Sequence, residues 1–136
     1  MELSLKKVKY FDEMSEETPC FVAELYDKGV HMATVKNDGR GGGNMLYPVK
    51  GKTYKDIAKY DNLDVECDIF KMVYVYDTVT KYQNKGLVIK KNDVIKLVGF
   101  NQSVAKLKKT PQGVRALYNA KEKYITDGYQ VLNRNL

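Results

Sequence analysis

Residues 20–36, CFVAELYDKGVHMATVK, carry the clearest secondary-structure signal in this chain. Phe21, Ala23 and Leu25 alternate with other residues, a pattern typical of a half-buried strand. The tripeptide Asp27-Lys28-Gly29 follows as a hairpin signal, with glycine where the backbone needs a positive φ. The residues after the turn supply the return strand. We therefore predict a β-hairpin over residues 20–36.

Helical and hairpin patterns occupy most of the rest of the chain. Apolar residues at spacings of three and four predict a long helix over about 62–83, which Gly86 is expected to end in a left-handed conformation. Residues 87–98 predict a second hairpin. Thr110-Pro111 is a typical helix start and Asp127-Gly128 a typical helix end. The apolar residues of the first helix are Val65, Ile69, Met72, Val73, Tyr76 and Val79.

These elements together predict an α+β fold in a single domain of residues 1–136. We expect an antiparallel sheet built from the two hairpins, at about 20–36 and 87–98. This sheet is expected to pack against the long helix at about 62–83 and a C-terminal helix at about 111–127. No run of 18 apolar residues is present to cross a membrane, and no apolar stretch of signal-peptide length stands at the N-terminus. We therefore expect a cytoplasmic protein with reduced cysteines.

The most unusual segment is residues 37–44, here called the glycine loop, in which four glycines fall within five residues. Glycine loses more backbone entropy on folding than other residues, so such a cluster indicates positive φ angles or close approach of another molecule. A turn-forming loop, a partner-binding surface and an anion-binding nest aided by arginine all remain open. Tyrosines flank the loop in sequence, at positions 10, 26, 47 and 54, and tyrosine suits interfaces. The candidate binding residues are Asn37, Asp38, Gly39, Arg40, Gly41, Gly42, Gly43, Asn44 and Tyr47.

Charge is distributed unevenly along the chain. The formal net charge is +6. Residues 84–136 hold 11 Lys and Arg against 3 Asp and Glu, whereas residues 1–83 hold 12 against 14. This asymmetry indicates either a polyanionic partner or a solvated basic face. Aromatic residues near the lysines would suit single-stranded nucleic acid. The candidate residues for such binding are Lys90, Lys91, Lys96, Lys106, Lys108 and Lys109.

The sequence contains no credible catalytic or metal-binding arrangement. His31 is the only histidine, and Cys20 and Cys67 lack the Cys-x-x-Cys spacing of zinc sites. In the predicted hairpin His31 lies opposite Leu25 or Tyr26, so Cys20 is about 16–20 Å away, too far for a nucleophile and its base. The glycine loop lacks the Gly-Lys-Ser/Thr ending of a P-loop. We predict a protein that is not an enzyme and that uses no cofactor.

Three segments resemble short proteins of phages and mobile elements, chiefly of gut Bacteroidales and mostly of unassigned function. The segments are AELYDKG with VKNDGRGGGN (residues 23–29 and 35–44), SVAKLKKTPQG (103–113) and DGYQVLNRNL (127–136). The likeness covers nearly the whole chain and is most specific in the glycine loop. Some small proteins of this origin look like type II-A anti-CRISPR proteins, which inhibit Cas9.

The resemblance implies a binding protein in the cytoplasm of a host bacterial cell that inhibits a host defence component. Cas9 with its guide RNA is the leading candidate for that component. Many such inhibitors are acidic DNA mimics, whereas this chain is basic, so it would bind an acidic protein surface or the guide–nuclease assembly. Two alternatives stay open: a nucleic-acid-binding accessory protein that uses the C-terminal lysines, and a sponge for a small signalling nucleotide that uses the loop as an anion cradle.

Overall fold

Seven strands and four α-helices follow one another in the computed structural model, which describes all 136 residues. The chain divides into two compact units, Met1–Asp77 and Thr78–Leu136. No helix combines the length and the apolar character that a membrane crossing requires. The elements are β1 (Leu3–Tyr10), β2 (Cys20–Asp27), β3 (Val30–Asp38), β4 (Met45–Pro48), α1 (Tyr54–Ile57), α2 (Leu63–Tyr82), β5 (Gly86–Lys91), β6 (Val94–Gly99), α3 (Val104–Leu107), α4 (Pro111–Thr126) and β7 (Gln130–Val131).

The first unit contains a four-stranded antiparallel sheet in the order β1-β2-β3-β4. The β2–β3 hairpin turns at Lys28 and Gly29, which have φ angles of 51° and 80°. Two positive φ angles match the twist of the flanking strands and are typical of a two-residue hairpin. The hairpin predicted for residues 20–36 is therefore confirmed.

The core of the first unit lies between β2, β3 and the segment that leads into α2. Phe21, Ala23 and Leu25 are fully buried, as their alternation indicates, and α2 contributes Ile69 and Val73. Short 3-10 helices at Asp12–Met14 and Ala58–Tyr60 complete this unit. The sheet and its core hold the end of β3 and the start of β4 in place, and the glycine loop connects these two ends.

The second unit contains a three-stranded sheet in the order β6-β5-β7. Leu87, Val88 and Ile89 of the central strand β5 are all buried. Asn133 binds to this strand through its side chain, which accepts a hydrogen bond from the Val88 N–H at 2.7 Å and donates one to the Gly86 carbonyl at 2.9 Å. α4 begins with the predicted Thr110 cap and proline.

The predicted α+β class, the two hairpins and the two long helices are confirmed, and the structure corrects the prediction in two details. The hairpins lie in separate sheets, because β4, which follows β3 after a short loop, takes the position beside β3 at a small loop-closure cost. Gly86 is a buried strand residue and does not end α2 in a left-handed cap; a Cβ there would lie 1.9 Å from the Val98 carbonyl oxygen. The single domain stays a prediction.

Candidate functional site

The glycine loop connects the neighbouring strands β3 and β4. Asn37 and Asp38 are the last residues of β3, and residues 39–44 lead into β4. The Asp38 carboxylate accepts a bond from the Arg40 N–H at 3.1 Å, which is the Asx turn that aspartate commonly forms. The loop belongs to the first unit, whose charge is the opposite of the basic C-terminal part.

Asn37 organises the loop from inside. Its side chain is only 3% exposed. The Oδ1 atom accepts bonds from the Gly39 N–H at 2.9 Å and the Thr18 hydroxyl at 2.7 Å. The Nδ2 atom donates to the Gly42 carbonyl at 3.0 Å and to the Asn44 Oδ1 at 3.1 Å. One buried amide therefore fixes both ends of the loop, and the sequence alone did not reveal this role.

Gly39 and Gly41 are required by the fold itself. Both have positive φ angles, 82° and 93°. A Cβ on Gly39 would lie 2.3 Å from the Met14 carbonyl oxygen, and one on Gly41 would lie 2.3 Å from Oε2 of Glu17. The Gly39 carbonyl also accepts bonds from the N–H groups of Glu16 and Glu17, at 3.0 and 2.9 Å. A side chain at Gly39 would therefore disturb the contact with the backbone of residues 14–17, whereas at Gly41 the exposed Glu17 side chain could move and the positive φ angle is the main constraint.

Gly42 and Gly43 have no such requirement. Neither has a positive φ angle, and both are exposed. Nothing lies within 4 Å of a Cβ built on Gly42, and the nearest atom to one on Gly43 is a Glu66 carboxylate oxygen at 3.5 Å. Alanine would fit at both positions without strain, so the internal packing of the chain does not explain these two glycines.

Arg40 is the exposed cation of the loop. Its guanidinium makes no hydrogen bond or ion pair within the chain. Glu16, Glu17 and Asp38 in and beside the loop are acidic and exposed, and the Lys36 ammonium, 5.7 Å from the centroid of the Tyr47 ring, is a second cation nearby. A partner that offers a carboxylate or a phosphate could form a bidentate pair with the Arg40 guanidinium.

Apolar and aromatic side chains extend the surface beyond the loop. A groove of about 490 Å³ runs between β4 and α1 and is lined by Met45, Tyr47 and Tyr54, which are 44%, 41% and 66% exposed. The Nδ2 atom of Asn44, at the same groove, is buried and has no hydrogen-bond partner. Met45 and Tyr54 were not among the predicted site residues. Tyr54 could have been found from its position directly after the Thr53 cap, where a helix side chain commonly faces solvent.

Two of the four flanking tyrosines do not join this surface. Tyr10 packs against Tyr74, with ring centroids 5.8 Å apart. Tyr26 stacks on His31, with centroids 4.7 Å apart. His31 in turn lies 2.5 Å from a Glu24 carboxylate oxygen, and the strand register places it opposite Tyr26, at the far end of the hairpin from Cys20. The surface is therefore formed by the glycine loop, Met45, Tyr47 and Tyr54, and we call it the loop surface.

The backbone N–H groups of residues 39–41 are not free to form an anion-binding nest. The N–H groups of Gly39 and Arg40 are bonded to the side chains of Asn37 and Asp38. The Gly41 N–H donates to the Thr18 hydroxyl at 3.3 Å. These three successive N–H groups are therefore not available to a phosphate, and the nucleotide sponge stays an alternative.

The candidate lysines fall into two groups in the second unit. Lys90, Lys91 and Lys96 lie on the β5–β6 hairpin, where the ammonium groups of Lys91 and Lys96 are 5.1 and 5.9 Å from the centroid of the Tyr129 ring. The Lys91 ammonium also donates to the Asp127 carbonyl at 3.0 Å. The second group, at the α3–α4 connection, consists of the exposed residues Lys106, Lys108 and Lys109.

The difference in net charge between the two parts of the chain is larger when it is counted by unit. Thr78–Leu136 holds 12 Lys and Arg against 3 Asp and Glu, a net charge of +9, whereas Met1–Asp77 holds 11 against 14, a net charge of −3. No group of three or more His, Cys, Asp or Glu side chains is arranged to hold a metal ion.

In the comparisons with known proteins, no family model matches the chain, and no curated protein or solved structure is significantly similar to it.

Proposed function

We propose that this chain is a non-enzymatic binding protein of a phage or mobile element that inhibits a host defence component through the loop surface. Cas9 with its guide RNA is the leading candidate, on the basis of the sequence resemblance. One observation carries the proposal: Gly42 and Gly43 are exposed and have no internal reason to be glycine, and they lie beside the unpaired Arg40.

The chemistry of the loop surface suits protein recognition. Bare backbone at Gly42 and Gly43 lets a partner approach more closely than any side chain would allow. Tyr47 and Tyr54 offer large apolar rings with polar tips, the residue type enriched at the centres of interfaces. The Arg40 guanidinium adds directional donors for an acidic group. The expected partner surface is therefore acidic at one point and apolar beside it.

Binding and inhibition can be measured with purified Cas9 loaded with guide RNA. We expect the wild-type chain to form a complex and to reduce DNA cleavage. Arg40→Glu is expected to weaken the complex at least about tenfold, because it places a like charge against an acidic contact. Tyr47→Ala should weaken it similarly by removing an aromatic contact.

Lys71→Glu supplies the matched control, because it makes the same charge change at an exposed position of α2. The affinity of the Lys71→Glu variant for Cas9 should stay within about twofold of the wild-type value, since exposed charges contribute little. Absence of any complex with Cas9, with or without guide RNA, would refute the Cas9 assignment. Equal effects of Arg40→Glu and Lys71→Glu would refute the role of the loop surface.

A second candidate function, nucleic-acid binding by the second unit, is favoured by Tyr129, whose ring centroid lies 5.1 and 5.9 Å from the ammonium groups of Lys91 and Lys96. Aromatic rings flanked by ammonium groups resemble the stacking platforms of single-strand binders, and the net charge of +9 would attract a polyanion.

This candidate predicts binding of single-stranded DNA that weakens steeply with salt. Lys96→Gln should reduce the slope of log K against log salt by about 0.7, the value for one phosphate contact on a single strand. Lys55→Gln, at an exposed position in the first unit, should leave the slope unchanged. A salt-independent affinity would eliminate this function.

A further inference from the structure

Strand β6 forms the outer edge of the three-stranded sheet, and it is strongly apolar. Its sequence is VIKLVG, with Lys96 as the only charged residue. Val94 and Leu97 are 54% and 43% exposed. A regular, apolar edge strand exposes unpaired backbone groups that pair readily with another strand.

The other edge strands of the chain carry features that prevent such pairing. β1 is interrupted by a bulge between Lys6 and Lys9, and Lys7 within the bulge has a φ angle of 52°. β4 has only four residues and ends in Pro48, and β7 has only two. β6 has six residues, no proline, and an uninterrupted register with β5. It therefore lacks the bulge, the proline and the short length that protect the other edges, and Lys96 is its only charged residue.

The backbone groups that β6 turns outward can be identified from its register. Val88 uses both of its backbone groups on the β7 side: its N–H donates to Asn133 and its carbonyl accepts from Leu132. Leu97, directly opposite Val88, therefore points its own N–H and carbonyl away from β5. Because the pattern alternates along an antiparallel pair, Ile95 and Gly99 do the same.

We propose that β6 pairs with β6 of a second copy of this chain, antiparallel and centred on Leu97. A two-fold axis at Leu97 places Ile95 opposite Gly99 of the other copy, and the reverse. The outward N–H and carbonyl groups of all three residues then find partners, in about six hydrogen bonds. The edge is thus complementary to itself, as an isologous interface requires.

Side chains and charge favour the same register. The two Leu97 side chains meet at the axis, and Gly99, which has no side chain and whose Cβ position has only the Lys85 carbonyl oxygen within 4.0 Å, leaves room for Ile95. Lys96 comes to lie opposite Val98, so its stem packs on an apolar neighbour. Moving the axis to Lys96 would place two like charges face to face, which is destabilising.

The interface formed in this way is small, since paired edge strands alone bury less than the about 1,200 Å² of a standard interface. We therefore expect a dimer whose population rises with protein concentration. The second unit of each copy carries a charge of +9, so added salt should strengthen the dimer by screening repulsion. An acidic partner strand on the same edge would show the opposite salt dependence.

Cross-linking tests the register. In the full chain with Cys67→Ser, which removes the exposed native thiol, Leu97→Cys should cross-link efficiently with a short bis-maleimide, because the two Cα atoms are expected about 5.5 Å apart. Val94→Cys is the matched control, because Val94 is slightly more exposed than Leu97 but lies about 20 Å from its counterpart, six positions along the strand. It should not cross-link above the level of the Cys67→Ser parent.

Sedimentation velocity over a range of concentrations tests the association itself. Leu97→Lys should remain monomeric, because it places two ammonium groups at the axis. Leu63→Lys makes the same substitution at a more exposed leucine, and this variant should dimerise like wild type. A wild-type chain that is monomeric at all concentrations and salts would overturn the proposal. So would a dimer that persists in Leu97→Lys, or equal cross-linking of Leu97→Cys and Val94→Cys.

Discussion

At the scale of single residues, the glycines of the glycine loop separate into two kinds, and alanine substitution should distinguish them. Gly39→Ala is expected to lower the free energy of unfolding by about 2–4 kcal/mol, because it adds a side chain at positive φ and against a backbone oxygen. Gly42→Ala should change it by less than about 0.5 kcal/mol. Urea unfolding of the purified variants measures both values.

Gly29→Ala isolates the contribution of φ. Gly29 has a φ angle of 80° but nothing within 4 Å of a Cβ, so its substitution carries strain without a clash. A cost of about 1 kcal/mol is expected there. If Gly39→Ala cost no more than Gly29→Ala, the contact between Gly39 and Met14 would not be the tight one described above.

Tyr60 and Asp27 form a second residue-scale feature, and it responds to pH. The Tyr60 hydroxyl donates to Asp27 at 2.7 Å, and this bond, with a second from the Glu2 N–H, lowers the pKa of Asp27. A carboxyl whose folded pKa is lowered stabilises the fold above its unfolded pKa of about 4 and loses that contribution as the pH falls through the folded value.

Tyr60→Phe should therefore destabilise the chain by about 1 kcal/mol at pH 7, a small value because the carboxylate is partly exposed and screened. The difference from wild type should narrow as the pH falls below about 4, in urea unfolding between pH 3 and pH 7. Tyr118→Phe, at an exposed tyrosine, should have no effect. A difference for Tyr60→Phe that did not change with pH would contradict the role of Asp27.

At the scale of elements, the approach of α4 to the end of α3 depends on Gly113. A Cβ at this helical position would lie 2.0 Å from the Leu107 carbonyl oxygen. Alanine normally favours a helix by about 1 kcal/mol over glycine, yet here Gly113→Ala should lower the free energy of unfolding by about 2 kcal/mol or more. Circular dichroism during urea unfolding measures the change. Increased stability would show that the two helices can separate without cost.

The elements themselves were largely predictable, because local chemistry decides them. Alternation and a turn glycine indicated the β2–β3 hairpin, and the Thr110-Pro111 pair indicated the start of α4. Gly86 was misinterpreted, because a glycine needed for close approach to Val98 carries the same sequence signal as one that ends a helix. Sheet partnership was also beyond the sequence, since it depends on which strands meet in space.

The position of the loop surface could be predicted from the sequence, but the roles of its individual residues could not. The cluster of glycines marked the loop, and the sequence could not separate Gly39 and Gly41, fixed by φ and by neighbours, from Gly42 and Gly43. That distinction depends on residues such as Met14 and Glu17, which lie more than twenty positions earlier in the chain. The role of Asn37 was hidden as well, because its burial and its bond with Thr18 depend on the fold.

At the scale of the whole molecule, charge and surface chemistry are divided between the two units. The first unit has a net charge of −3 and carries the loop surface. The second unit has a net charge of +9 and carries the two lysine groups and the edge strand β6. The overall charge of +6 therefore describes neither unit. A partner of the loop surface would therefore meet mildly acidic surroundings, and a polyanion would be attracted to the second unit.

This division predicts that polyanion binding depends on where charge is removed and not only on how much. Replacing Lys106, Lys108 and Lys109 by glutamine should lower the salt concentration that elutes the chain from a heparin column markedly more than replacing Lys50, Lys55 and Lys71. Both triple variants lose three positive charges at exposed positions. The first set lies among the surplus cations of the second unit, where each contact releases counterions, whereas the second set lies in a unit whose acidic groups repel the polyanion. Equal shifts in elution would mean that heparin responds to the net charge of the chain alone.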